Sequence, residues 1–261
     1  MPISIHKRAI LEIAMSRSHL AVVTLILTLN AAAAADEKAR AVIDRAIEAH
    51  GGETNVEKLS TAQVKVEGKA TLPGVGSAST VIQDFWQLPS QYKTIQEYEA
   101  MDMKFVQTIV MNDNQMWISV NGQTQSLPKE AQAEMKEQIY AESLDKLSPF
   151  LKERYNLSLL DDVTIDGQAA VGVQVSAEGH RDVELYFSKT NGLLVKRRDV
   201  MIQQTGEKVT REVYFSKYKE VDGVQHWMSI VGYYDGKKIF EGEVTKLKFP
   251  DKFETNVFAK P

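Results

Sequence analysis

The sequence contains no cysteine among its 261 residues. This absence excludes disulfide bonds, thiolate metal ligands, a cysteine nucleophile and the cysteine that carries the lipid of a lipoprotein. Histidine is scarce too: after the N-terminal leader described below, only His50, His180 and His226 remain. They are widely separated, and no His-x-x-x-His or His-x-Glu motif occurs among them. The spacing therefore predicts no metal site.

The sequence also lacks the motifs that accompany catalysis and nucleic-acid binding. It has no Gly-x-Ser-x-Gly and no Gly-x-x-x-x-Gly-Lys motif, and no helical pattern follows Gly74-Val-Gly76. Asp161 and Asp162 are neighbours at a strand end, where a solvated turn is favoured over a catalytic carboxylate pair. The formal net charge is -4, whereas nucleic-acid binding requires a basic stripe. We therefore predict a protein that is not an enzyme, uses no cofactor and binds no nucleic acid.

Long apolar runs are missing except for one near the N-terminus, residues 20–29. This run is too short to cross a bilayer, which takes about 20 residues. Arg17 precedes it and alanines 31–35 follow it, an arrangement typical of a secretory signal peptide. We predict that residues 1–35 form this signal peptide, that Met15 is the true start because it leaves a more usual n-region, and that the mature protein is exported. A membrane anchor is the alternative.

The rest of the chain, residues 36–261, alternates between two helical stretches and many short strands. Helical spacing of apolar residues predicts a helix over 36–50, stopped by Gly51 and Gly52, and two helices over 128–155, divided at Ser148-Pro149. Apolar and β-branched runs bounded by turn residues predict the strands. The strands before the closing pair are 63–70, 80–88, 92–100, 103–111, 115–120, 157–165, 169–177, 182–188, 193–202 and 208–221. Lys196, Arg197 and Arg198 lie inside one of them, which favours an exposed edge or rim over an anion site.

Short turns between consecutive strands indicate antiparallel neighbours. A sheet of that length curls, and the inserted helices would cover its concave side. The predicted fold class is therefore mainly β with α: one domain built on a strongly curved antiparallel sheet, or half-open β-barrel, of about ten or eleven strands capped by helices. No linker or repeat divides the domain.

The two ends of this domain resemble a known family. The turn at Tyr218–Gly223, the aromatic strand after it, the turn at Asp235–Lys237 and the closing Phe253–Pro261 are similar to the C-terminal end of LolA/LolB-type periplasmic lipoprotein carriers and their relatives. The helix and double glycine of Ala41–Gly52 resemble the start of the same group. The resemblance implies an open barrel, capped by helices around an apolar cavity that holds acyl chains. It also implies a periplasmic location and a delivery or acceptor protein at the membrane.

Large apolar side chains on the strands are the candidates for such a cavity. Methionine and aromatic residues adapt to irregular partners, and an acyl-chain pocket needs few polar groups. The candidates are Phe85, Trp86, Met103, Phe105, Ile109, Met111, Trp117, Ile118, Trp227 and Tyr233. We therefore expect a non-enzymatic carrier or binding protein for the acyl chains of a lipoprotein or lipid. The alternative is a structural or sensory protein on the same fold, whose core fills its own concavity and which binds a protein partner.

Overall fold

The structure is a computed structural model of the chain and describes residues 36–153, 155–203 and 205–261. The predicted signal peptide, residues 1–35, lies outside the described residues. Within the described ranges, no helix has both the length and the hydropathy that a membrane crossing requires.

The described residues form fifteen strands and a few helices. The first helix, α1, covers residues 36–49, and α2 (Glu53–Val56) leads into a 3-10 turn (Glu57–Ser60). Helices α3 (Lys129–Leu144) and α4 (Pro149–Lys152) interrupt the strands, and the predicted division at Ser148-Pro149 is confirmed. The strands are β1 (Thr61–Leu72), β2 (Gly76–Gln87), β3 (Gln91–Ala100), β4 (Met103–Asn112), β5 (Gln115–Val120), β6 (Gln123–Gln125), β7 (Asn156–Ile165), β8 (Gln168–Ser176), β9 (Val183–Ser188), β10 (Leu194–Ile202), β11 (Lys208–Ser216), β12 (Lys219–Val221), β13 (Val224–His226), β14 (Ser229–Tyr234) and β15 (Lys237–Lys248).

Thirteen of these strands form one antiparallel sheet in the order β6-β5-β4-β3-β2-β1-β15-β14-β11-β10-β9-β8-β7, while β12 and β13 form a separate hairpin. The sheet is open, because β6 and β7 lie at its two ends. The expectation of a mainly β, antiparallel, unclosed sheet with helices is confirmed. The predicted count of ten or eleven strands was too low. Three-residue β6 has no clear periodicity, and the continuous pattern over 208–221 hid the break between β11 and β12.

The sheet consists of a centre and two arms. We call β1, β15 and β14 the centre, β2–β6 the N-terminal arm and β7–β11 the C-terminal arm. At the centre, Gly68 pairs with Gly242. A Cβ at Gly68 would lie 1.9 Å from the carbonyl oxygen of Glu241, so only glycine allows this close approach. The glycine pair therefore lets β1 and β15 approach each other closely at the centre of the sheet.

One face of the sheet, the inner face, carries α1 and α3. The apolar side of α1 packs against β7–β10 in the main core, and Arg45 Nη2 donates to the Lys189 carbonyl oxygen at 2.8 Å. The turn before β10 approaches α1 so closely that a Cβ at Gly192 would lie 3.0 Å from Ala49 Cβ. This helix therefore fills the concave side of the C-terminal arm.

Helix α3 bridges the two arms. On one side its Ile139 packs with Met111 and Met116 of the N-terminal arm. On the other side its Glu137 accepts from His180 Nδ1 at 2.8 Å and from the Arg181 amide at 3.0 Å, just before β9. An apolar contact therefore attaches α3 to the N-terminal arm. Polar contacts, together with the burial of Ala141 and Leu144 in the main core, attach it to the C-terminal arm.

The C-terminal segment, residues 249–261, crosses the opposite, outer face of the N-terminal arm. Phe253 stacks edge-on against Phe85 with ring centroids 5.9 Å apart, and Phe258 beside it is fully buried. The Thr124 hydroxyl donates to the Pro261 carbonyl oxygen at 2.5 Å. The outer face of this arm is thus covered by the chain itself.

Candidate functional site

Six of the ten predicted cavity residues lie on the inner face. Directly paired residues of an antiparallel sheet share a face, and the register of β1–β5 groups the six with the buried Ala62 of β1. These six are Trp86, Met103, Phe105, Ile109, Met111 and Ile118. We call them the inner-face row. They lie on β2, β4 and β5, with β3 between β2 and β4, and Gln107 separates Phe105 from Ile109 along β4.

Three other candidates, Phe85, Trp117 and Tyr233, point to the outer face. Phe85 packs against Phe253, and Tyr233 stacks against Tyr214 at 5.4 Å. Alternation alone separates Phe85 from Trp86 and Trp117 from Ile118, because adjacent strand residues point to opposite faces. The tenth candidate, Trp227, precedes β14 and is buried in the main core.

The six inner-face residues differ in what covers them. Trp86 donates its indole N–H to the Leu59 carbonyl oxygen at 2.7 Å, and Lys146 Nζ lies 4.4 Å from its ring centroid. Met111 is buried beneath α3. Met103 is 65% exposed and Phe105 38% exposed. Helix α3 therefore covers one end of this row and leaves the β3–β4 end open.

A buried network of charged residues occupies the middle of the inner face. We call Asp145, Arg197, Asp199, Arg211 and Glu142 the central network. Arg197 contacts Asp145 of the turn after α3 and donates from Nε to Asp199 at 2.9 Å. Arg211 donates from Nε to Asp199 at 3.0 Å and from Nη1 to Glu142 at 2.9 Å. Alternating charges thus connect β10 and β11 to the C-terminal half of α3.

The sequence expectation for the basic run 196–198 is wrong. Strand β10 lies inside the sheet, between β11 and β9, so the run is not at an edge. Arg197 is 2% exposed and ion-paired on the inner face, whereas Lys196 and Arg198 pair with Glu212 and Glu184 on the outer face. The available signal was the spacing: Arg197 and Asp199 are two apart on one strand and must share a face.

The central network continues between α3 and the N-terminal arm, in a region that we call the cleft. Tyr92 Oη lies 3.4 Å from Glu142 Oε2 and 3.4 Å from Asp84 Oδ1. Tyr234 is paired across the strands with Arg211, and Tyr98 is paired with Phe105, so both tyrosines face the same side. We call Asp84, Glu142, Tyr92, Tyr98 and Tyr234 the cleft residues. All five side chains keep partial contact with solvent.

The electrostatics of the cleft are dominated by the cost of burying Asp84. Desolvation raises the pKa of its carboxyl group to about 6, and the negative charge of Glu142 adds to the shift. Burial likewise raises the pKa of Tyr92 well above its usual value. Burial raises the pKa of Asp145 to about 6 as well, although the Arg197 guanidinium opposes this. Asp84 differs from Asp145 in that no ion pair within the described ranges compensates its burial.

The histidines do not form a metal site in the part of the chain that the structure describes, where no group of three potential ligands is found. His50 and His226 are buried, and desolvation lowers their pKa values to about 4 and about 3. His180 instead stacks on Tyr140 with ring centroids 3.7 Å apart. Their roles are in packing and in holding α3.

Comparisons with solved structures identify the fold. The chain is similar to a LolA superfamily protein from Nitrosomonas europaea (14% identity, TM-score 0.54, 85% of this chain and 97% of that chain covered). It is also similar to a putative outer membrane lipoprotein-sorting protein domain from Vibrio parahaemolyticus (11%, 0.53, 86% and 97%) and to a DUF1329 family protein from Desulfovibrio piger (12%, 0.51, 85% and 97%). No protein-family profile and no curated protein sequence matches the chain. The chain therefore has the fold of LolA superfamily proteins, as the resemblance of its two ends predicted.

Proposed function

We propose that this protein is a non-enzymatic carrier that holds the acyl chains of a lipoprotein or lipid against the inner face of its N-terminal arm. One observation carries the proposal: part of the inner-face row is exposed rather than buried with Met111 beneath α3. Met103 and Phe105 are exposed there, and Phe105 lies 6.3 Å from the Tyr98 ring. Ile82 of β2 and Phe240 of β15 lie on the same face and are half-buried.

The physical driving force is the removal of acyl chain from water. Each buried methylene contributes about 0.8 kcal/mol, so a chain lying along this row would gain several kcal/mol. The outer face offers no equivalent surface on this arm, because residues 249–261 cover it. The exposed row is thus the surface on which an acyl chain gains most.

The cellular setting belongs to the same proposal. Residues 1–35 would export the chain to the periplasm, residues 36–261 would form the single carrier domain, and a membrane-associated protein would deliver or accept the cargo. The sequence features of the leader and the name of the similar Vibrio domain, which refers to lipoprotein sorting at the outer membrane, support this setting.

Native mass spectrometry tests the proposal directly. The domain from Asp36 onward would be purified from an exporting host without detergent, and bound acyl lipid would appear as added mass that organic solvent extracts. Titration with a fluorescent fatty acid gives affinities. Phe105→Ser should weaken its binding about tenfold, because about 1.4 kcal/mol of apolar contact is lost. Tyr233→Ser, an aromatic change on the outer face, is the matched control and should leave binding within about twofold.

The alternative is a protein-binding role with a self-filled concavity. The C-terminal arm favours it, because Val173, Leu185 and Phe187 on its inner face are completely buried in the main core, although Leu159 of β7 is 40% exposed. A purified domain with no bound mass and no uptake of fatty acid or lysolipid would overturn the carrier proposal and support this alternative. A partner protein would then be sought on the exposed β3–β4 end.

A further inference from the structure

The cleft next to the apolar row contains a buried acid, Asp84, that has no ion pair within the described ranges. Among the four carboxylates of the cleft and central network, Asp145, Asp199 and Glu142 each contact an arginine. Asp84 forms no ion pair within the described ranges, and Tyr92 Oη lies 3.4 Å from it. The hydroxyl of Thr94, its cross-strand neighbour, and the charge of Lys146 lower the pKa of its carboxyl group but leave it raised. A buried carboxylate without a paired cation is unfavourable for folding unless a positively charged group binds to it.

The position of Glu142 makes the two carboxylates a pair. The same phenol oxygen, Tyr92 Oη, lies 3.4 Å from an oxygen of Asp84 and 3.4 Å from an oxygen of Glu142. One ammonium group carries three donors and could reach both acids at once. Tyr98 and Tyr234 line the same side, and aromatic rings attract cations through their faces. The cleft therefore offers both charge and ring surface to a protonated amine.

A second, independent observation points to a ligand at the same place. Arg211 is only 6% exposed, and its Nη2 atom has no hydrogen-bond partner among the described residues. Its other nitrogens are held by Asp199 and Glu142, so the free nitrogen belongs to a guanidinium group that is fixed beside the cleft. A buried donor without an acceptor costs about 1–3 kcal/mol. A ligand oxygen at this position would relieve that cost.

We propose that the cleft binds a lipid headgroup that carries a protonated amine next to an acceptor oxygen, with the ammonium between Asp84 and Glu142 and the oxygen at Arg211 Nη2. An aminophospholipid headgroup has this chemistry, since its ammonium lies a short linker away from phosphate oxygens. Its acyl chain would leave the cleft along Ile82 and Phe105, which share the inner face. The inference rests on the proposed function and adds headgroup selectivity to it.

The test compares two lysolipids with the same acyl chain, lysophosphatidylethanolamine and lysophosphatidylglycerol, below their micelle concentrations at pH 8. The full domain should prefer the ethanolamine lipid about tenfold, the size expected for a charge-assisted hydrogen bond. Asp84→Asn should reduce this preference to near one and leave the affinity for the glycerol lipid unchanged. Asp162→Asn, an exposed acid on β7, is the matched control and should keep the preference.

The outcomes separate the two proposals. Equal affinity for both lysolipids, with no change in Asp84→Asn, would overturn the headgroup inference and leave the carrier proposal standing. Failure to bind either lysolipid would overturn both. Free phosphoethanolamine distinguishes the source of the amine: if it binds as tightly as the lysolipid, the site serves a free metabolite and the lipid assignment is overturned. Thermal melting at pH 8 confirms that the asparagine variant is folded.

Discussion

The two arms of the sheet are both built from antiparallel strands, but their inner faces differ in how completely they are buried. In the C-terminal arm, the inner-face residues Val173, Leu185, Phe187 and Leu194 are completely buried under α1. In the N-terminal arm, α3 covers only Met111 and its neighbours, and Met103 and Phe105 of the inner-face row are exposed to solvent. The β-branched and leucine side chains of one arm close-pack, whereas the methionine, tyrosine and acidic side chains of the other do not.

The difference between the arms separates stability from binding. A close-packed interior gains dispersion and transfer free energy but leaves no room for a ligand. The open arm forgoes part of that gain and also contains Asp84, a buried carboxylate without an ion pair within the described ranges. Sites that are costly for stability are frequently functional sites. If the proposed function holds, the C-terminal arm contributes most of the folding stability and the N-terminal arm provides the binding surface.

The largest expected effect tests this division with one aromatic residue from each arm. Phe187→Ala removes a fully buried ring and should lower the free energy of unfolding by about 3–5 kcal/mol, through lost transfer energy and a cavity. Phe105→Ala removes a ring that is 38% exposed and should cost less than about 1 kcal/mol. Urea denaturation followed by tryptophan fluorescence measures both. Equal losses would contradict the division between the arms.

The next effect concerns the central network, which joins the arms through α3. Arg197→Met leaves Asp145 and Asp199 buried without that guanidinium and should destabilise the protein by about 3–5 kcal/mol. Its neighbour Arg198 points to the outer face, where it pairs with Glu184 and is 42% exposed. Arg198→Met is therefore a matched control, with an expected loss below about 1 kcal/mol. A small loss for Arg197→Met would mean that the network is dispensable for holding α3.

The sequence predicted the fold better than the site for a physical reason. Strand periodicity and turns are local, so the antiparallel, unclosed sheet and the helices of residues 36–50 and 128–155 followed from them. The site depends on contacts between distant segments: Glu142 of α3 meets Arg211 of β11, and Tyr92 of β3 meets Glu142. No local pattern brings these residues together. Alternation alone would have placed Phe85, Trp117 and Tyr233 away from the other candidates.

A moderate effect on the free energy of unfolding is expected for Asp84, where removing the charge should stabilise the protein. Its carboxyl pKa is raised to about 6 in the folded protein, so ionisation destabilises the fold above that pH, and the cost disappears as the pH falls through 6 toward the unfolded value. Asp84→Asn should therefore stabilise the protein by about 1–2 kcal/mol at pH 8 and by almost nothing at pH 4.

Denaturation of both proteins from pH 4 to 8 measures this difference. Burial lowers the pKa values of His50 and His226, so their contribution to the free energy of unfolding decreases below pH 6.5. This decrease is the same in both proteins and cancels in the comparison. Asp162→Asn serves as the exposed control. Destabilisation by Asp84→Asn at pH 8 would show that the carboxylate is satisfied in the folded protein and would remove the argument for an unneutralised cleft.

The smallest expected effect concerns the contacts that attach α3 to the two arms. Glu137→Gln weakens its contacts with His180 and the Arg181 amide, which are only partly buried, so global stability should fall by less than about 1 kcal/mol. Amide hydrogen exchange in residues 129–144 should nevertheless become a few times faster, because local opening no longer breaks a charged contact. Glu130→Gln, in the exposed first turn of the same helix, should change neither quantity. If exchange is unaffected by Glu137→Gln, the remaining contacts of α3 are sufficient to hold the helix, among them the apolar contact of Ile139 with Met111 and the ion pair of Glu142 with Arg211.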